Sequence, residues 1–203
     1  MTTKPTSTAK AVPQRRLSRD ERQRQLLDAA WKLISGEGTD ALTLGRLAAE
    51  AGITKPVAYD HFGTRNGLLV ALYQDFDVRQ TALIDAAIAA SKPVLKEKAR
   101  VIAAGYIECV MTQGREIPGV LAALGGSPEL ASVKHQYQLA FIKKCQAILA
   151  PYAGPAGIAQ AGMWAMLGAA DGLAHAAVAQ DIGVEQARDE LMQTIVAMVK
   201  RSK

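Results

Sequence analysis

The chain has 203 residues, of which 49% are hydrophobic and 21% charged. That apolar share excludes a chain too polar to fold, and the length suits one to two small domains with a buried core. Aromatics supply only 5%, and runs of Val, Ile and Thr with period-two alternation are absent, which argues against an all-β domain. Alanine dominates, and glycine and proline fall mainly between periodic segments. The expectation is an all-α protein.

The net charge is +5 and the pI near 9.3, but its distribution says more. Residues 1–70 hold 11 of the 24 Lys/Arg and 7 of the 19 Asp/Glu, a surplus of +4 against +1 for the rest. The N-terminal third is thus the part suited to an anionic partner. Cys109 and Cys145 lie far apart with no C-x-x-C, and His61, His135 and His175 lack ligand spacing. No metal site and no cofactor are expected, and two buried thiols in a reducing compartment are. Residues 1–17 have no apolar segment of a secretory signal. The uncharged stretch 145–170 is broken by Pro151, Gly154, Pro155 and Gly157, which leaves 13 residues, too few to span a membrane. A soluble cytoplasmic protein is expected.

In chain order, residues 1–17 read as a disordered basic arm. Ser18 and Glu21 form a capping box that opens a first helix, with Leu27, Ala30 or Trp31, and Ile34 at helical spacing and Gly36 to Gly38 as its stop. Thr43 caps a short second helix whose Leu44, Leu47, Ala48 and Ala51 form a two-turn apolar stripe. Gly52 follows, and after Gly52-Ile53-Thr54 a third helix begins with Pro56 in its first turn and runs to about Phe62. Two short helices joined by a three-residue turn with Gly make a helix-turn-helix pattern. A fourth helix follows Thr64, with Leu68, Leu69, Leu72, Tyr73 and Phe76 on its apolar face, and continues to about Ala90. Further helices are expected near 93–112, 118–124, 128–149, 156–180 and 184–201, nine in all.

On a helical wheel Ala58 and Phe62 face inward from the third helix. Pro56, Tyr59 and Asp60 face outward, with Lys55, Val57 and His61 at the flanks. The helix N-terminus, Lys55, Tyr59 and His61 offer donors to phosphate, and Val57 offers apolar contact for a thymine methyl. Asp60 opposes this unless it accepts from a cytosine amine. Upstream, Lys10, Arg15, Arg16 and Arg19 form an arm able to follow a minor groove or the backbone.

Residues 26–73, and above all residues 48–69 (AAEAGITKPVAYDHFGTRNGLL), resemble the DNA-binding domain of the TetR family of bacterial transcriptional repressors. Gly52, Thr54, Lys55, Tyr59, His61, Phe62, Thr64, Arg65, Leu68 and Leu69 fit the family pattern in register. The resemblance implies a three-helix DNA-binding domain over 18–68 and a helical effector-binding and dimerisation domain over 69–203. By position, it implies that Thr43 and Thr54 cap their helices and touch phosphate. It places Lys55, Pro56 and Val57 at base edges, and Tyr59, His61 and Arg65 on the backbone. Gly45, Ala58 and the pair Asn66-Gly67 depart from the family pattern.

Gly168 and Gly172 lie four apart beside a row of Ala161, Ala165 and Ala169, and Ala187, Leu191, Ile195 and Met198 stripe the last helix. These two helices fit a symmetric four-helix dimer contact, which the resemblance also implies and a palindromic site requires. The family's middle helices enclose a pocket for a small effector. Candidate lining residues are Tyr106, Cys109 and Gln113 on the fifth helix, Tyr137 and Phe141 on the seventh, and Trp164, Asp171 and His175 on the eighth. Each is equally compatible with an ordinary core role, and Asp171 with His175 also with an ion pair at a dimer interface.

The expected function is a sequence-specific DNA-binding repressor, released from a palindromic operator by a small, largely apolar or aromatic effector. The chain has no G-x-S-x-G, H-E-x-x-H or P-loop, so no enzyme is expected. The alternative is a basic helical module for acidic membrane surfaces or a protein partner. Asp20, Glu21 and Asp28 among the arginines of the first helix weigh against it.

Overall fold

A computed structural model describes residues 17–112, 119–120, 122–123, 125–126 and 128–202. The expectations for the arm up to residue 16, including Arg16, and for Gln113 fall outside these residues. Of the helix expected over 118–124, the described residues 119–120 and 122–123 are helical. The described residues form eight α-helices and no strand. They are α1 (Arg19–Glu37), α2 (Leu44–Glu50), α3 (Lys55–Phe62), α4 (Arg65–Ala90), α5 (Leu95–Thr112), α6 (Pro128–Leu149), α7 (Gln160–Val178) and α8 (Val184–Lys200).

Local chemistry accounts for most of the N-terminal boundaries. At α1 the Ser18 hydroxyl accepts from the Glu21 backbone N–H at 3.2 Å. The Glu21 carboxylate accepts from the Ser18 N–H at 2.7 Å, completing the reciprocal box. The Ser18 hydrogen bonds also hold the Glu21 carboxyl below its ordinary range. Thr43 caps α2 through the Arg46 N–H (3.1 Å), and Thr64 caps α4 through the Gly67 N–H (3.0 Å). Thr54 occupies the same position before α3, yet its hydroxyl makes no capping bond. The expectation of a side-chain cap there is corrected, because Pro56 lacks an N–H and the Val57 N–H bonds the Thr54 carbonyl instead.

Two cores form. The N-terminal one joins Leu26, Leu33, Leu47, Ala58, Phe62, Leu68 and Leu72, and it also takes in Val120 and Leu130 from far along the chain. The C-terminal one is built from α5, α6, α7 and α8. Ala187, Leu191, Ile195 and Met198 are all buried within it. The α8 stripe therefore packs inside its own chain, a correction to its assignment to a dimer contact. The physical reason is that α5 already covers that face. What α7 leaves uncovered is the row Ala161, Ala165, Gly168 and Gly172.

Candidate functional site

The helix-turn-helix is held by backbone bonds at its turn. The Ala51 N–H donates to the Leu47 carbonyl and the Ile53 N–H to the Ala48 carbonyl, both at 2.9 Å, while Gly52 sits at φ +65°. Ala58 and Phe62 are buried against α2 and α4, so the register of α3 is fixed by its apolar edge. Its other edge is free. Lys55, Pro56, Tyr59 and Asp60 are exposed, and Val57 and His61 are half-buried. Tyr59 is 53% exposed, unusual for an aromatic ring with no partner to cover it.

His61 and Arg65 are constrained more tightly than their neighbours. Burial, then the nearby Arg19 and Arg22, lower the His61 pKa, so the ring is neutral at physiological pH. Its Nδ1 is buried without a hydrogen-bond partner. Any bond to a DNA phosphate must then come from Nε2–H. Arg65 donates from Nε to the Leu42 carbonyl and from Nη2 to the Thr39 carbonyl, both at 2.8 Å. It ties the start of α4 to the connection between α1 and α2.

A cavity lies between α4, α5, α6 and α7, with about 780 Å³ of atom-free space partly open to solvent. Of the expected residues it brings together Tyr106, Cys109, Tyr137, Phe141 and Asp171. Trp164 lies outside the lining and stacks on His135, with centroids 5.6 Å apart and planes within 5°. His175 is exposed and also outside it. The Tyr106 hydroxyl donates to the Asp171 carboxylate, which turns Asp171 toward the cavity.

The sequence reading missed the contribution of α4: Tyr73, Phe76, Asp77, Gln80, Thr81 and Ile84. Residues 73, 76, 77, 80 and 84 share one helical face, and that spacing was available as a signal. Burial raises the pKa of Asp77, with Lys144 opposing. Burial and then Asp77 push the Cys109 thiol up to about 12, so it remains protonated. Burial raises Tyr73, Tyr106 and Tyr137 as well, with a cavity carboxylate adding to each.

A trihelical unit with a free-standing third helix is joined by one long helix to a bundle that holds a cavity. The sequence profile described as "Bacterial regulatory proteins, tetR family" matches residues 26–72. Over 59 residues the chain is 42% identical to the HTH-type transcriptional activator FasR of Mycolicibacterium smegmatis, covering 29% of this chain and 27% of that protein. Over 82 residues it is 34% identical to the HTH-type transcriptional regulator BetI of Rhizobium meliloti, covering 40% and 39%. The chain thus matches less than two-fifths of the length of either relative. The whole fold is similar to the crystal structure of a TetR-family transcriptional regulator from Streptomyces coelicolor, with TM-score 0.70 and 19% identity over 90% of this chain and 96% of that one. Residues 26–72 thus match the tetR family of bacterial regulatory proteins, and the likeness over the rest of the chain is one of fold.

Proposed function

We propose that the protein is a homodimeric repressor that binds a near-palindromic operator and is released from it by a small molecule held in the α4–α7 cavity. The observation that carries this reading is the free edge of α3, where Lys55, Pro56 and Tyr59 stand clear of a core that fixes the helix. Lys55, Pro56 and Val57 read base edges in the major groove. Thr43, Thr54, Tyr59 and His61 position the backbone, with Arg16 reaching it from the arm. The unbonded Thr54 hydroxyl supports its part. Arg65 also reaches the backbone, through Nη1, while holding its two carbonyls.

The dimer forms through α7 and the face of α8 turned away from its buried stripe, with the exposed row Ala161, Ala165, Gly168 and Gly172 at its centre. A Cβ at Gly168 or Gly172 would meet nothing within 4 Å, so a second helix can approach closely there. The protein acts in the cytoplasm without catalysis, and no helix among the described residues is long and apolar enough to cross a membrane. Fluorescence anisotropy with duplex DNA tests the core of this reading. Log affinity should fall linearly with log salt, with a slope of about −0.9 per phosphate neutralised, and light scattering should give a dimer. A monomer at micromolar concentration, or affinity indifferent to salt, contradicts it.

A further inference from the structure

Resting on the reading of the cavity as the effector site, we propose that it selects an organic monocation: a quaternary or protonated nitrogen carried on an aromatic body. The lining supplies two carboxylates, Asp77 from α4 and Asp171 from α7. Asp171 accepts from the Tyr106 hydroxyl and pairs with no cation among the described residues, and Asp77 has no ion-pair partner there either. The nearby Lys144 is held by Asp85 at 2.6 Å. Among the described residues Lys134 is the single cation on the lining beside the two carboxylates, a net negative charge.

The apolar part of the lining has the matching character. Tyr73 and Tyr137 meet edge to face with centroids 4.8 Å apart, and Tyr106 and Phe141 lie 5.4 Å apart. Aromatic faces attract cations through their quadrupoles, and more strongly where water is excluded. The tyrosine hydroxyls and the Cys109 thiol stay protonated, so none of them adds or removes charge. A neutral guest would desolvate Asp77 further without compensation, and an anion would face both carboxylates. A cation on an aromatic body satisfies the carboxylates and the rings together.

Calorimetric titration of the full chain with three probes of one shape tests this: N-methylquinolinium, its neutral analogue 1-methylnaphthalene, and the anion 1-naphthoate. The cation should bind at least tenfold tighter than the neutral analogue, and the anion more weakly than either. Asp77→Asn should reduce the cation to the level of the neutral probe and leave the neutral probe unchanged. Asp171→Asn, a second variant for the case that the first misfolds, should weaken the cation alone. Equal binding of cation and neutral probe, both lost in Phe141→Ala, overturns the charge selection and leaves the cavity as an effector site. No binding by any probe, or binding that ignores Phe141→Ala, overturns the cavity reading and this inference with it.

Discussion

Arg65 lies in the stretch that resembles a DNA-binding motif, where the family's basic residue meets the backbone. Its guanidinium is nonetheless bonded to the Thr39 and Leu42 carbonyls, and the Thr39 carbonyl also accepts from the Leu42 N–H at 3.2 Å. Charged donors to carbonyls contribute more than neutral ones. Arg65→Ala should therefore lower the unfolding free energy by about 1–3 kcal/mol in urea denaturation, and unchanged stability would show the two bonds to be idle. Gly67 has a similarly local explanation. A Cβ there would sit 2.1 Å from the Phe62 carbonyl oxygen, so glycine is required where α4 presses on the end of α3. This departure from the family pattern is a packing solution that cost the helix some intrinsic propensity. No sequence rule reveals it, because the clash depends on the angle between two helices.

Among the elements, α4 links the two halves of the molecule. It is one helix of 26 residues, about 39 Å long at 1.5 Å per residue. Thr64 closes its first turn near the DNA-binding unit, and the Phe76–Ile84 region lines the cavity. Its far end is capped from α5, where the Lys98 ammonium donates to the Ile88 carbonyl (2.8 Å), the Ser91 carbonyl (3.2 Å) and the Ser91 hydroxyl (2.9 Å). A cation at a helix C-terminus meets the negative end of the dipole. Lys98→Met should cost about 1–2 kcal/mol, read as a fall in the urea midpoint at constant slope, and a change below 0.3 kcal/mol (roughly the floor for such pairs) would contradict the cap.

The short helices α2 and α3 were legible because cap, stripe and glycine all lie within twenty residues of one another. The Lys98 cap was not, since its partners are seven and ten residues away across a proline-containing break. The α8 stripe was legible as apolar but not as internal. Periodicity shows which face is buried and leaves open whether the same chain or a second one buries it.

Across the whole molecule, the N-terminal core is completed from outside its own segment. Val120 and Leu130 are buried with Leu26, Leu47 and Leu72, and a Cβ at Gly119 would lie 2.4 Å from the Thr39 hydroxyl. A domain read as residues 18–68 contains none of these partners, because contacts between distant segments leave no local periodicity. Arg65 at the start of α4 and Gly119 both meet the Thr39–Leu42 connection. An effector that distorts this junction can alter operator affinity only through a difference in its own affinity for the two states. In the proposed complex α3 reads sequence as one of a symmetric pair. The most direct measurement is selection of bound sites from random duplex DNA, run in parallel on the natural chain and on Lys55→Ala. The account predicts a near-palindrome with half-site centres about one helical turn or somewhat more apart. It also predicts that Lys55→Ala relaxes one position per half-site, at a cost of ~1–3 kcal/mol. Selection that returns no motif, or the same motif at every position for both proteins, would contradict it.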